Sequence, residues 1–257
     1  MKTLTINNKI VLVYDSIDDM PIVNFQKYNK YLLIDSGVGS DADDIDAHIT
    51  KIAKYIKLDN KKNALLELQN MRQNMYMVNC EISPKYLAFA ALIYSVDGKV
   101  NTDLSDSGLK KLLSDIREIK HSTIIKFLTW LKKKVTSELE QYFPEIFANS
   151  KEKDAYDSLK RRTLLKLDSM INGNDNISQI SEIDTILFGM YKPGIFIGGD
   201  SVEIKYDKQY ENACLIISQK ANMNAKNMTV LQFYNALDVI KQQMDAETKS
   251  LKRNKSR

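Results

Sequence analysis

Asp35-Ser36-Gly37-Val38-Gly39-Ser40-Asp41-Ala42-Asp43-Asp44-Ile45-Asp46, DSGVGSDADDID, sets two glycines either side of one valine and then four acids within six positions. A P-loop needs Gly-Lys-Ser/Thr before its helix so that a lysine meets the phosphates, and a dinucleotide fingerprint needs a preceding strand. Here Phe25, Tyr28 and Leu32 precede at helical spacing, and carboxylates stand where phosphates would sit, so like charges repel the ligand. A calcium loop fails on register, because Asp41, Asp43 and Asp46 do not fall where an EF-hand places its ligands, its glycine and its closing glutamate. Punctuation between two helices accounts for every residue. The Gly37 region stops one helix, Ser40 caps the next with Asp43 three positions on, and first-turn acids favour the helix dipole.

Outward from that stretch the helical spacing persists. Asp19-Met20-Pro21 sets an acid and a proline at a helix start. Ile45, Ile49, Ile52, Ile56 and then Leu65, Leu68, Met71, Met75 predict two packed amphipathic helices with a break at Asp59-Asn60. Ser83-Pro84 opens an apolar helix expected to run to Val96-Asp97-Gly98-Lys99. Further helices are predicted after Ser107, from Ser122, from Ser150 to Asn172-Gly173, around Ile183 to Met190, from Tyr210 to Lys220, and after Thr229 as a cap. Residues 3 to 14 instead alternate loosely around Asn7-Asn8, which predicts a small hairpin or edge strand. Ile195 to Tyr206 reads as a second β-hairpin with Gly198, Gly199 and Asp200 at its tip. The expected fold is mainly α: a multi-helix bundle with a small N-terminal β element and one hairpin near 195–206. Its expected divisions are an N-terminal helical domain over 1–148, a C-terminal helical domain over 149–250 and a basic tail over 251–257.

A chain of 257 residues buries a core without metal or disulfide help, so its size demands no cofactor. Cys80 and Cys214 lack a CxxC partner, which points to a reducing compartment rather than a zinc site or disulfide framework. The apolar run IVLVY near the N-terminus is too short for a signal core or membrane span, so no membrane partner is expected. Net charge is only +4, but it is polarised: Asp15 to Asp46 holds eight acids against Lys27 and Lys30, and the end from Lys241 onward is basic. The acidic start, Asp41, Asp43, Asp44 and Asp46, and the tail residues Lys252, Arg253, Lys255 and Arg257 are therefore candidate contacts between subunits.

Catalytic chemistry has few possible members. His48 and His121 are the only histidines; His48 lies at the edge of an apolar stripe, as a boundary side chain, and His121 opens a helix. Both cysteines read as small buried hydrophobes. No Ser/His/Asp or Cys/His logic emerges, so no catalytic, cofactor-binding or metal residue is named and a non-enzymatic protein is expected. Lys132-Lys133-Lys134 beside Trp130 raises a nucleic-acid face, but few arginines and no recognised nucleic-acid motif accompany it, so the solvated-face reading is preferred.

Three pieces carry a family resemblance: FQKYNKYLLIDSGVGSDADDIDAHI (25–49); LLELQNMRQNMYMV (65–78) with SPKYLAFAALIYSVDGK (83–99); and MTVLQFYNALDVIKQQ (228–243). Together they resemble tailed-bacteriophage morphogenesis proteins, of the kind encoded among the tail and neck genes of phages of gut Bacteroidetes. The resemblance covers about a quarter of the chain, rests on packing patterns and transfers no catalytic residue. It implies a virion structural protein of the neck or tail, a ring-forming head-tail connector or tail component. Such a protein is assembled in the host cytoplasm, homo-oligomeric, and bound to portal, tail or neighbouring ring proteins. In that role residues 195–206 would be a projecting hairpin and 251–257 a docking arm. The alternatives are a tail-assembly chaperone absent from the mature virion and a basic nucleic-acid-binding accessory protein.

Overall fold

A computed structural model describes residues 1–39, 42–78, 82–116, 119–147, 150–190 and 194–255, without side-chain detail at 42, 76–78, 150–153, 189 and 250–255. The N-terminal alternation does form a hairpin, β1 (Lys2–Ile6) and β2 (Lys9–Val13), closed by Asn7 and Asn8 at φ 48° and 62°. Two left-handed residues match the right-handed twist of the strands, and Asn tolerates that conformation best after glycine. A second strand pair, β3 (Ile93–Val96) and β4 (Lys99–Val100), extends it into an antiparallel sheet in the order β1-β2-β3-β4.

That second pair corrects the helix expected to reach Val96. Helix α4 (Pro84–Ala91), opened by Ser83 accepting from the Lys85 amide, stops at Ala91. The chain then pairs with β2, and Asp97 and Gly98 at φ 48° and 80° close the tight turn between β3 and β4. The Asp97 carboxylate accepts the Ile10 amide at 2.8 Å, locking that turn to the first hairpin.

The remaining elements are helices. They are α1 (Ile22–Val38), α2 (Ala42–Lys57), α3 (Lys61–Val78), α5 (Asp106–Ile116), α6 (His121–Tyr142), α7 (Pro144–Phe147), α8 (Ser150–Asn172) and α9 (Ile177–Met190). After them come α10 (Val202–Ala221), one 3-10 turn (Ala225–Asn227) and α11 (Val230–Lys255). Thr229 and Gln232 exchange side-chain bonds with each other's amides, a capping box that starts α11. Backbone bonds from Ile22 to Met228, from Val230 to Met20 and from Leu231 to Ile17 tie that start to the entry of α1.

The main core draws on both sides of the boundary expected at 148/149. Val11, Tyr28, Phe89, Leu131, Ile217 and Phe233 belong to one buried cluster. A small satellite core of Ala155, Ile183 and Leu187 lies between α8 and α9, where Arg162 also grips Asp184 at 2.6 Å. Tyr55 of α2 meets Phe188 of α9 edge to face at 4.8 Å and connects that hairpin to the rest.

The second hairpin expected over 195–206 is absent. Residues 194–201 are loop and Val202 begins α10, so Gly198, Gly199 and Asp200 sit in a turn ahead of a helix. The apparent alternation Val202, Ile204, Tyr206 is broken by an exposed Ile204. Charge agrees: Lys30 of α1 binds Glu203 at 2.9 Å and Asp207 at 2.7 Å, and a helix brings residues four apart within reach of one ammonium, whereas a strand would hold them about 13 Å from each other.

The two glycines of the opening stretch serve different ends. Helix α1 runs through Gly37, where the Phe196 ring occupies the space a Cβ would need, and stops at Gly39. Gly39 adopts φ 83° and ψ 177°, a region essentially reserved for glycine, with the Asp44 side chain against it. Gly39→Ala is therefore expected to lower the stability measured by urea unfolding by about 1–3 kcal/mol; an unchanged midpoint would show that the turn relaxes freely.

Candidate functional site

Helices α1 and α6 flank a groove of about 490 Å³. Phe25, Tyr28, Asn29 and Leu32 form one wall at helical spacing, and Lys132, Val135, Thr136, Leu139 and Glu140 the other. Phe147 and Tyr234 lie at one end, and Tyr206 lines the middle. A second lobe of about 460 Å³ shares Asn29, Leu32, Lys132 and Tyr206 and continues toward Asp35, Ser36 and Ile125. The two helices thus run in opposite senses along a single trough.

The trough is aromatic at one end and polar at its rims. Phe147 meets Tyr234 edge to face at 4.9 Å, and Phe25 lies 6.2 Å from Tyr28. The Tyr28 hydroxyl is buried behind the wall without a hydrogen-bond partner, an arrangement that costs desolvation energy. Burial pushes the Tyr28 phenol well above its ordinary range and the Tyr234 phenol up to about 12, so both stay neutral donors. Lys132 and Glu140 lie eight residues apart on α6, about 12 Å along its axis, too far to exchange a proton directly. The trough thus joins aromatic and aliphatic walls to the charged side chains Lys132 and Glu140.

A second polar constellation lies under the α2–α3 hairpin. His48, expected at the edge of an apolar stripe, is buried at 3% exposure, with Nδ1 2.8 Å from Glu67 Oε1 and Nε2 2.6 Å from the Val38 carbonyl. Both ring nitrogens face acceptors, so the imidazolium satisfies them together. The hydrogen bond to Glu67 raises the His48 pKa against burial, which lowers it. Burial raises the Glu67 pKa, but the His48 bond and the Lys51 ammonium at 3.3 Å outweigh it and hold the carboxyl below its ordinary range. Asn70 donates to the Gly194 carbonyl at 2.6 Å, and Asn74 is buried with neither amide atom paired. Sequence reasoning missed this stripe because Glu67, Asn70 and Asn74 sit among apolar positions; their 3- and 4-residue spacing was the available signal.

The residues singled out in the sequence are scattered. Asp43 and Asp44 occupy the first turn of α2, as expected of helix-start acids, and Asp46 is exposed just beyond; Asp41 lies outside the described residues, as does Ser40. Asp200 pairs with Lys205 at 3.3 Å, leaving Gly198 and Gly199 in an open turn. Lys252, Arg253 and Lys255 fall in the last turns of α11, their side chains outside the description, and Arg257 lies outside the described residues, as does Cys80. Cys214 is buried in the main core. His121 begins α6 and stacks on Tyr86 at 5.9 Å. Among the described residues no group of three or more His, Cys, Asp or Glu side chains is placed to hold a metal ion, and no helix is long and apolar enough to cross a membrane. The Trp130 face is occupied by Lys2, 4.0 Å from the ring centroid, and Lys134 is engaged by Asp15 at 3.4 Å.

Comparison with protein-family models, with curated proteins and with solved structures gave no match.

The buried pair has a pH signature. His48, its pKa raised, contributes fully below the ordinary imidazole value of 6.5 and loses that contribution as pH rises through the native value. Glu67, its pKa lowered, contributes fully above its ordinary 4.5 and loses it as pH falls through the native value. Urea unfolding across this range should show stability greatest between the two and declining on the alkaline side. Glu67→Gln should flatten the alkaline decline and cost about 3–5 kcal/mol near pH 6; a decline that persists in the variant would assign it to another group.

Proposed function

We propose that this protein acts through protein–protein contacts as a non-enzymatic structural component of a larger assembly, a neck or tail component of a phage virion. The observation that supports the reading is its surface. The chain exposes 16450 Å² at 29.5 kDa, whereas a compact monomer of that mass exposes about 11,500 Å². The surplus, several thousand Å², exceeds the roughly 800 Å² that each partner buries in a standard interface.

Several of the most exposed apolar side chains lie together on the α8–α9 hairpin. Tyr156, Leu164, Met170 and Ile171 of α8 and Ile177 of α9 are more than half exposed. On a helix of 3.6 residues per turn the α8 members fall on one face, opposite Ala155, Arg162 and Leu165, which meet α9. Apolar patches of this kind mark association surfaces. The resemblance to tailed-phage morphogenesis proteins supplies the setting: homo-oligomers contacting portal, tail or neighbouring ring proteins in a virion assembled in the host cytoplasm. The turn at Gly198-Gly199-Asp200, though not a hairpin tip, remains an exposed candidate contact.

Mass spectrometry of purified mature virions is the test. The protein should be present at a fixed copy number; its absence, with binding to one tail protein during assembly, would replace this reading with the chaperone. A steep loss of DNA affinity with salt would favour the nucleic-acid reading instead. Met170→Asp with Ile171→Asp is expected to leave the unfolding midpoint unchanged and to weaken association at least tenfold in sedimentation equilibrium; undiminished association would remove α8 from the contact.

A further inference from the structure

Helix α2 meets the α8–α9 hairpin around a cleft of about 310 Å³, at the lower end of the roughly 300–1,000 Å³ that small-molecule sites enclose. Each helix lines it with side chains at three- or four-residue spacing, so three helix faces converge there. Tyr55 of α2, Leu159 of α8, and Leu187 and Phe188 of α9 supply the apolar surface. Tyr55 and Leu187 are buried, and the Tyr55 and Phe188 rings meet edge to face at 4.8 Å.

Positive charge gathers on the same lining. Lys51 and Lys54 of α2 and Arg162 of α8 face the cleft with one acid, Asp184 of α9. Asp184 is committed to Arg162, its two oxygens lying 2.6 Å from Nε and 3.3 Å from Nη2. A guanidinium carries five N–H groups, so this pair fixes the plane of the fork without using all of them. Glu67 approaches Lys51 at 3.3 Å but is shared with His48, and the Lys51 side chain stays 52% exposed. Among the described residues no carboxylate pairs with Lys54, whose ammonium lies 4.0 Å from the centre of the Phe188 ring. Three cations against Asp184 leave an excess of two positive charges on the lining, and behind it the His48 imidazolium and Glu67 offset each other. Lys51 and Lys54 also stand one turn apart on one helix, a like-charge pair that folding alone disfavours.

We infer that this cleft binds a small molecule carrying one phosphate monoester on a flat aromatic or heteroaromatic ring. Such a phosphate bears about −1.5 to −2 charges at pH 7, which matches the excess on the lining. Arginine offers phosphate a planar fork and lysine a mobile point charge, and the cleft supplies both. The ring takes the face of Phe188 that Lys54 now covers, because a cation–π contact at an exposed site is weak, and Lys54 turns its ammonium to the phosphate. The ligand then bridges α2 to the α8–α9 hairpin where Tyr55 and Phe188 already join them. The exposed apolar face of α8 lies opposite Arg162, so this site is separate from the proposed association surface.

Isothermal titration calorimetry of the full-length protein tests the site with adenosine monophosphate and with phenyl phosphate, against adenosine and inorganic phosphate as controls. At least one ester should bind about tenfold more tightly than either control, since ring stacking and charge then act together. Which ester binds distinguishes a nucleotide from a simple aryl phosphate. Lys54→Glu, at an exposed position, should weaken that ester about tenfold or more with circular dichroism and urea midpoint unchanged. Phe188→Leu should bring the ester down to the affinity of inorganic phosphate and leave phosphate itself unaffected. Failure of both esters to bind, an ester no tighter than inorganic phosphate, or an affinity that survives Lys54→Glu overturns the site. Absence of the protein from virions would remove the structural-component reading and leave this one standing.

Discussion

Helix α1 has one exposed residue, Ser36, and its buried and half-buried positions include polar side chains, so several other elements have to supply their partners. Asn24 donates to the Ala91 carbonyl behind α4, Gln26 and Lys30 reach Asp207 of α10, and Tyr31 donates to Asp106 of α5. A buried polar group left unpaired costs more than a hydrogen bond contributes net, so these bonds act chiefly by excluding other arrangements. They fix α4, α5 and α10 around one axis. The α1–α6 trough is the face of α1 left open among these elements, with Lys85 of α4 bound to Asp35 at 3.6 Å and Tyr206 of α10 lining it.

The same helix fixes where two other elements begin, α11 and the α2–α3 hairpin. Its entry is tied by backbone bonds to the start of α11, which aims the last helix outward. Its exit at Gly39 turns the chain into α2, and the Val38 carbonyl accepts from His48, seating the α2–α3 hairpin. That seat is unusual in sign: α3 turns Glu67, Asn70 and Asn74 inward and leaves Leu65, Leu68 and Met75 exposed. With the apolar face of α8, it gives the molecule outward-facing hydrophobic surface on two helical hairpins.

Much of this was legible in the residues. Asn7-Asn8 announced its hairpin because left-handed backbone selects few residue types. Thr229, Ser83 and the stripe of α6 announced their helices because caps and a 3.6-residue period are local properties. Two errors had one source. Ile93 to Val96 and Val202 to Tyr206 are short stretches that suit either strand or helix, and each was assigned by a partner distant in sequence: β2 for the first, Lys30 for the second. The trough was illegible because its walls come from residues more than a hundred positions apart.

The sequence alone determined a mainly helical chain, its N-terminal hairpin, the punctuating role of DSGVGSDADDID and the polarity between an acidic front and a basic end. These follow from period, capping and charge count, which need no knowledge of neighbours. Tertiary structure alone decided that Gly37 makes room for Phe196 while Gly39 supplies a backbone only glycine adopts, and that His48 and Glu67 share a buried proton. It also decided that α1 and α6 leave a trough between them. Burial, and the choice between competing partners, are properties of the folded whole, set by which surfaces meet and not by any one stretch of chain.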